Sequence, residues 1–214
     1  MLTKVPLFAD LDETELAKIS SKAVTKRYPR NTTIINEGDI SDSLYIILSG
    51  GVRVYLSDME GKEVTLNDQG PGEFFGEMAL LDSAPRSASV VTTGKTQLSI
   101  ISKTDFEEFV IQHPQTLLKI LQGSIRRLRA LTENVRSLAL LDVYGRVARV
   151  LLQLAEQEDG ALKIRSGLTQ QEIANRVGAS REMVSRILKD LRSGGYIEVE
   201  DKHIIIKEPL PHDW

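Results

Sequence analysis

The spacing of apolar positions changes character twice along the chain. In DLDETELAKIS, residues 10–20, Leu11, Leu16 and Ile19 face inward behind Asp10 or Asp12 as N-cap, which predicts a short helix. From about residue 24 to 102 the text breaks into short β-branched runs: TTIINEGD, SLYIILSG, GVRVYLS, KEVTLND, SASVVTT and TQLSIISK. Turn signals stand between them at Glu37-Gly38-Asp39, Gly50-Gly51, Glu60-Gly61 and Gly70-Pro71-Gly72. Strands at that spacing predict an antiparallel sandwich or roll.

After Ser102 the period becomes helical. Residues 103–111 predict one short helix, which His113-Pro114 breaks. A long helix is then expected from Pro114 to about Ser137, with Gly123 its single glycine. Leu117, Leu121, Ser124, Leu128, Leu131, Val135 and Leu138 recur at alternating intervals of four and three. That is an a/d seam, and it predicts a two-stranded coiled coil, hence a homodimer. The other reading packs this face on the chain's own roll, and Leu118 and Ile125 lie on a different face that suits the roll. The helix junction Leu138–Asp142 marks a domain boundary, followed by a helix over roughly Val143–Gln157 that Glu158-Asp159-Gly160 closes.

The segment Leu168–Leu188 carries the most specific local signal. Thr169 caps a helix and Glu172, three residues on, completes a capping box. Ile173, Ala174 and Val177 form the apolar face, Gly178 supplies a positive-φ turn, and Ser180 caps a second helix. Met183, Val184, Ile187, Leu188 and Leu191 are expected on its buried side, leaving Arg181, Glu182, Ser185, Arg186 and Lys189 outside. Two such helices make a helix-turn-helix. Arginine bonds guanine O6 and N7 in a bidentate way and a carboxylate accepts from cytosine N4, so the outer face suits the DNA major groove. Beyond Gly194-Gly195, strands at Tyr196–Val199 and His203–Ile206 around Glu200-Asp201-Lys202 read as a wing.

Charge supports that reading only locally. The 214 residues carry a formal net charge of −3, yet Lys163–Arg192 holds seven bases against three acids, a local +4. The chain has no cysteine, which excludes disulfides, thiolate clusters and cysteine nucleophiles. Its histidines, His113, His203 and His212, are scattered, so no metal site is expected, although one histidine suffices for haem. The roll holds no histidine, which argues against a cupin-type enzyme, and an enzyme is not expected. No apolar run approaches the roughly 20 residues of a membrane span, and the N-terminus lacks a signal sequence, so no membrane partner and a cytoplasmic location are expected.

A second dense cluster runs from Gly72 to Val90. Gly76 lets backbone approach a ligand, and Glu77, Met78, Ala79, Leu80 and Leu81 form one helical turn whose free N–H groups suit an anion. Arg86 suits a bidentate clamp on phosphate, and Glu77 beside it suits a hydroxyl, so the pair suggests a sugar phosphate.

This cluster resembles the phosphate-binding cassette of cyclic-nucleotide-binding domains. From about Leu7 to Lys207 the chain resembles the catabolite activator, or cyclic-AMP receptor, protein family. The resemblance implies an α+β protein with an N-terminal antiparallel, jelly-roll-like β-roll at 1–112, a long dimerisation helix at 113–138 and a C-terminal winged helix-turn-helix at 139–214. It implies that Gly76, Glu77, Arg86 and Ser87 hold ribose and cyclic phosphate, with Val54 and Leu66 as apolar walls of the base pocket. It implies base contacts from Arg181, Glu182 and Arg186, and phosphate contacts from Thr169, Gln171 and Ser180, on double-stranded DNA with a pseudo-palindromic operator. A contact of the 157–166 loop with RNA polymerase is a further implication. Where the family's cyclic-AMP receptors place two adjacent hydroxyl residues against adenine, this chain has Leu131 and Thr132. Cyclic AMP is thus the expected ligand, with cyclic di-GMP as alternative. A constitutive DNA-binding dimer with no effector also stays open.

Overall fold

The computed structural model describes residues 5–8, 11–158, 161–164, 168–200 and 203–211. Two compact units divide the chain, residues 1–56 with 65–129 and residues 57–64 with 130–214. The first unit opens with a 3-10 turn, Pro6–Phe8, and α1, Glu13–Lys22. Asp12 caps α1 in a reciprocal box with Glu15. The strands follow: β1 Val24–Tyr28, β2 Thr33–Ile35, β3 Ser43–Ser49, β4 Val52–Ser57, β5 Glu63–Gln69 and β6 Phe74–Phe75. Then come the short α2 Glu77–Asp82, β7 Ser89–Thr92, β8 Thr96–Ser102 and α3 Lys103–Gln112. They form two four-stranded sheets, in the orders β1-β8-β3-β6 and β2-β7-β4-β5.

Ile35, Val52 and Val90 from one sheet meet Ile47, Phe75 and Leu98 from the other in a single buried cluster, so the sheets face each other as the roll requires. The outer face of the β3-containing sheet is covered too. Leu44, Ile46, Phe74 and Ile101 pack there against Ile19 of α1, Phe106 and Phe109 of α3, and Ile120. Burial on both faces is why Leu44–Leu48 reads as an unbroken apolar run without alternation.

The long helix α4, Gln115–Leu140, belongs to the first unit as far as Arg129 and to the second from Ala130. Thr116, Ile120, Gly123 and Arg127 are its residues turned to the roll. A Cβ on Gly123 would lie 3.0 Å from the Phe74 ring, so only glycine allows this closeness without displacing the ring. The expectation that Leu118 and Ile125 pack on the roll is corrected: both are exposed. At about 100° per residue they fall on the same side as Leu121 and Leu128, opposite the Ile120 face. Leu117, Leu118, Leu121, Ile125, Leu128, Leu131, Val135 and Leu138 are all exposed along one side of the helix, with Leu128 and Val135 each at 64%.

In the second unit α5, Val143–Leu154, is capped by Asp142, whose Oδ1 accepts from Gly145 N at 2.7 Å. The helix stops three residues before the expected Gln157. Ala155 turns extended, and Glu156–Glu158 (β9) pairs with Ala161–Ile164 (β10). β9 is exposed throughout, so it has no apolar period to announce it, and backbone pairing alone holds it. The helices α6 Gln170–Val177 and α7 Arg181–Ser193 and the strands β11 Ile197–Glu200 and β12 His203–Ile206 complete the unit. Its sheet runs β11-β12-β10-β9. Val147 and Leu151 of α5, Ile173 and Val177 of α6, Val184 and Leu191 of α7, and Ile204 and Ile206 of β12 share one core.

Candidate ligand and nucleic-acid sites

Arg86 is 4% exposed and held by three acceptors. Its Nε donates to Ser41 Oγ at 2.6 Å, Nη1 to the Gly76 carbonyl at 2.6 Å and Nη2 to the Ser43 carbonyl at 2.8 Å. All three are neutral. Burial pulls the guanidinium below its ordinary pKa, while Tyr45, Glu77, Asp42 and Asp39 act against that shift. The Tyr45 ring lies 5.9 Å from the guanidinium and stacks on Phe75, and burial raises the pKa of its hydroxyl. A buried cation whose direct partners are all neutral favours an anion.

Gly76 has φ +84°, and a Cβ there would meet Arg86 Nη1 at 2.5 Å and the Ser43 carbonyl at 2.9 Å. Glycine is therefore required both by conformation and by the guanidinium packed over it. Glu77, next in the chain, opens α2 and is 3% exposed. Its carboxylate receives Arg127 Nη1 from α4 at 2.5 Å. Arg127 also donates to the Phe74 carbonyl, and its guanidinium carbon stands 4.8 Å from the centre of the Phe74 ring. With its carboxamide oxygen turned to Arg127, buried Gln69 accepts from Nε at 3.1 Å and Nη2 at 3.2 Å. The sequence reading missed Arg127 and Gln69. The signal was present in α4, where Thr116, Ile120, Gly123 and Arg127 repeat at the seam's own interval.

The remaining ligand-side residues are spread out. Ser87 and Met78 are exposed beside Arg86 and Glu77, with the Ser87 hydroxyl 3.8 Å from the Met78 sulfur, and Ala79 is buried. Val54 is half-buried against the inter-sheet cluster, and Leu66 is half-buried on β5. Thr132 is exposed on α4 in the second unit.

The second unit carries the two helices read from Leu168–Leu188. Thr169 Oγ1 accepts from Glu172 N at 3.1 Å, and Glu172 returns a carboxylate to Thr169 N at 2.8 Å. Gly178 ends α6 in the left-handed region, at φ +64°, and Ser180 Oγ accepts from Met183 N at 3.2 Å to start α7. Val184, Ile187 and Leu191 are the buried stripe of α7. Arg181, Glu182 and Arg186 are exposed on the side away from it. Met183 is corrected from buried to 38% exposed: it stands at the edge of the stripe, about 40° beyond Ile187 and about 100° from Val184. Leu188 is partly buried. Gln171 is exposed, but its Nε2 donates to buried Asn175 at 2.8 Å, and Asn175 Nδ2 donates to Glu63 Oε2 at 2.9 Å. Arg146 of α5, absent from the sequence reading, braces the motif by donating to the Val177 carbonyl at 2.9 Å and the Leu141 carbonyl at 3.0 Å. Arg165 of the basic stretch and Asp201-Lys202 of the wing turn lie outside the described residues, as does part of the 157–166 loop.

Known proteins align with both units. Residues 25–113 match the cyclic nucleotide-binding domain family, and residues 145–209 match the Crp-like helix-turn-helix domain family. A CRP-like cAMP-activated global transcriptional regulator of Mycobacterium tuberculosis (strain CDC 1551 / Oshkosh) is 34% identical over 212 residues, covering 97% of this chain and 95% of that protein. The cAMP-activated global transcriptional regulator CRP of Salmonella typhimurium is 37% identical over 184 residues, 84% of this chain and 88% of its own. Among solved structures, the c-di-GMP responsive global regulator CLP of Xanthomonas campestris is 29% identical, covers 92% of this chain and 100% of its own, and has a TM-score of 0.81. With a ligand-binding roll, a winged helix-turn-helix and relatives that match nearly end to end, the chain belongs to the Crp family of transcription regulators, with a cyclic nucleotide-binding domain and a DNA-binding helix-turn-helix.

Proposed function

We propose that the protein works as a homodimer whose affinity for DNA is set by a cyclic nucleotide bound at Gly76–Ser87. The observation that carries this is Arg86, a buried cation with three neutral partners, one residue from Ser87 and close to the buried carboxylate of Glu77. A cyclic phosphate supplies the missing negative charge, and a ribose hydroxyl donates to Glu77. Met78 and Ala79 line the turn, Val54 and Leu66 flank the base, and Thr132 offers it one hydroxyl. The eight large apolar residues exposed along one side of α4, from Leu117 to Leu138, support a coiled-coil dimer.

On the DNA side Arg181, Glu182 and Arg186 read bases in the major groove, while Thr169, Gln171 and Ser180 contact phosphates. Two copies related by a two-fold axis read a pseudo-palindrome with half-sites one helical turn apart. The nucleotide acts by binding the DNA-competent state more tightly than the other, since equal affinity for both shifts nothing. A gel-shift series with and without nucleotide tests the switch, and equal DNA affinity in every lane overturns it.

Cyclic AMP is the favoured ligand, since the Mycobacterium tuberculosis and Salmonella typhimurium relatives are named as cAMP-activated. The second reading is cyclic di-GMP. It draws on the Xanthomonas campestris relative and on Leu131, an exposed apolar residue beside Thr132. Calorimetric titration with cyclic AMP, cyclic GMP and cyclic di-GMP side by side decides between them, and heat from none of the three overturns the ligand reading.

A further inference from the structure

The loop joining β2 to β3 is moulded around Arg86. Gly38 N donates to the Arg86 carbonyl at 2.8 Å and Arg86 N donates to the Asp39 carbonyl at 2.9 Å, so the two backbones are zipped together. The loop is itself braced, because Asp39 Oδ2 accepts from both Asn36 N and Asn36 Nδ2 at 3.1 Å. The loop then supplies one of the three acceptors for the side chain, Ser41 Oγ, and the first residue of β3 supplies another, the Ser43 carbonyl.

A guanidinium has five N–H donors in a fixed plane. Three are used among the described residues, which leaves two for a ligand. Fixing Nε, Nη1 and Nη2 at once sets the orientation of that plane and hence where the two free donors point. Of the three acceptors, two are main-chain carbonyls. Ser41 Oγ is the only side chain among them, and at 2.6 Å it ties down Nε, the nitrogen nearest the flexible stem.

We infer that Ser41 is a positioning residue for the anion site: its hydroxyl holds Arg86 in the orientation that receives a phosphate. The inference rests on the cyclic-nucleotide reading of the site. Ser41 does not touch the ligand in this role. It acts through Arg86, and it spares the ligand the cost of ordering a long side chain on binding. The effect is directed at the phosphate, so it is the same for nucleotides that differ only in their base.

The test uses the full chain and its Ser41→Ala, Ser41→Thr and Arg86→Ala variants. Each is titrated with cyclic AMP, cyclic GMP and cyclic di-GMP, and arginine Nε–H signals are recorded by NMR without ligand. Ser41→Ala is expected to weaken whichever nucleotide the unaltered protein binds by about tenfold. The factor is the same for cyclic AMP and cyclic GMP where both bind, and Ser41→Thr restores affinity to within about twofold. The Arg86 Nε–H signal, assigned by its loss in Arg86→Ala, is expected to exchange slowly in the unaltered protein and in Ser41→Thr, and fast in Ser41→Ala. Unchanged affinity in Ser41→Ala overturns the positioning role while the ligand reading stands. So does a threonine variant as weak as the alanine one, which would place the effect in loop packing. Fast Nε–H exchange in the unaltered protein overturns the role even if Ser41→Ala fails to fold. If the unaltered protein binds none of the three nucleotides, the ligand reading falls and the inference falls with it.

Discussion

Glu77 and Arg127 form a close charge pair at the proposed ligand site, and the two sides differ in exposure. The Glu77 side chain is 4% exposed and the Arg127 side chain 22%. Removing the arginine therefore strands a buried carboxylate, which costs about 3 kcal/mol, the low end for breaking a buried pair because Arg127 keeps some contact with water. Arg127→Ala is expected to show that loss in urea denaturation and to lose nucleotide binding as well. Replacing both partners by Gln and Met in one chain should recover part of the stability and none of the binding. On α7 the exposed Arg186 is the clearest test of base reading. Arg186→Ala is expected to cost about 1–3 kcal/mol on a specific site and little on a scrambled one, measured by fluorescence anisotropy.

Among the elements, α4 does two jobs with two faces. Its narrow roll face of Thr116, Ile120, Gly123 and Arg127 is set by close approach, and its wide apolar face is left uncovered. A charge placed at the centre of the wide face, Leu128→Glu, is expected to give a monomer in analytical ultracentrifugation while the roll stays folded. Gly123→Leu drives a side chain into the Phe74 ring and is expected to lower stability by about 1–3 kcal/mol in the same denaturation assay, as overpacking does. Which parts were legible follows from range. The capping box at Thr169 and the left-handed Gly178 use partners within a few residues, so sequence alone placed them, and it narrowed the first N-cap to Asp10 or Asp12, of which the structure shows Asp12. The partners of Arg86 come from residues 41, 43 and 76, and those of Arg127 from 69, 74 and 77. A local pattern can mark the face, as the repeat on α4 does for Arg127, but it does not name partners that lie so far away in sequence. Glu156–Glu158 failed for another reason: an all-exposed strand carries no periodic signal at all.

For the whole molecule, the acidic total and the basic stretch around the helix-turn-helix act on different observables. Phosphate contacts give DNA affinity a steep salt dependence, while the net charge of −3 works against non-specific retention on nucleic acid. Added cyclic nucleotide is expected to raise affinity for a palindromic site more than for random DNA, measured by anisotropy at two salt concentrations. Arg86 carries a consequence for any such measurement. If Arg86, whose hydrogen-bond partners are all neutral, is the anion site proposed above, it selects anions first and nucleotides only then, and the medium competes with the effector. In sulfate buffer the apparent dissociation constant for nucleotide should exceed that in chloride at equal ionic strength, and Arg86→Ala should erase the difference. The regulator would then respond to the ratio of its signal to the common oxyanions around it, not to the signal's concentration alone.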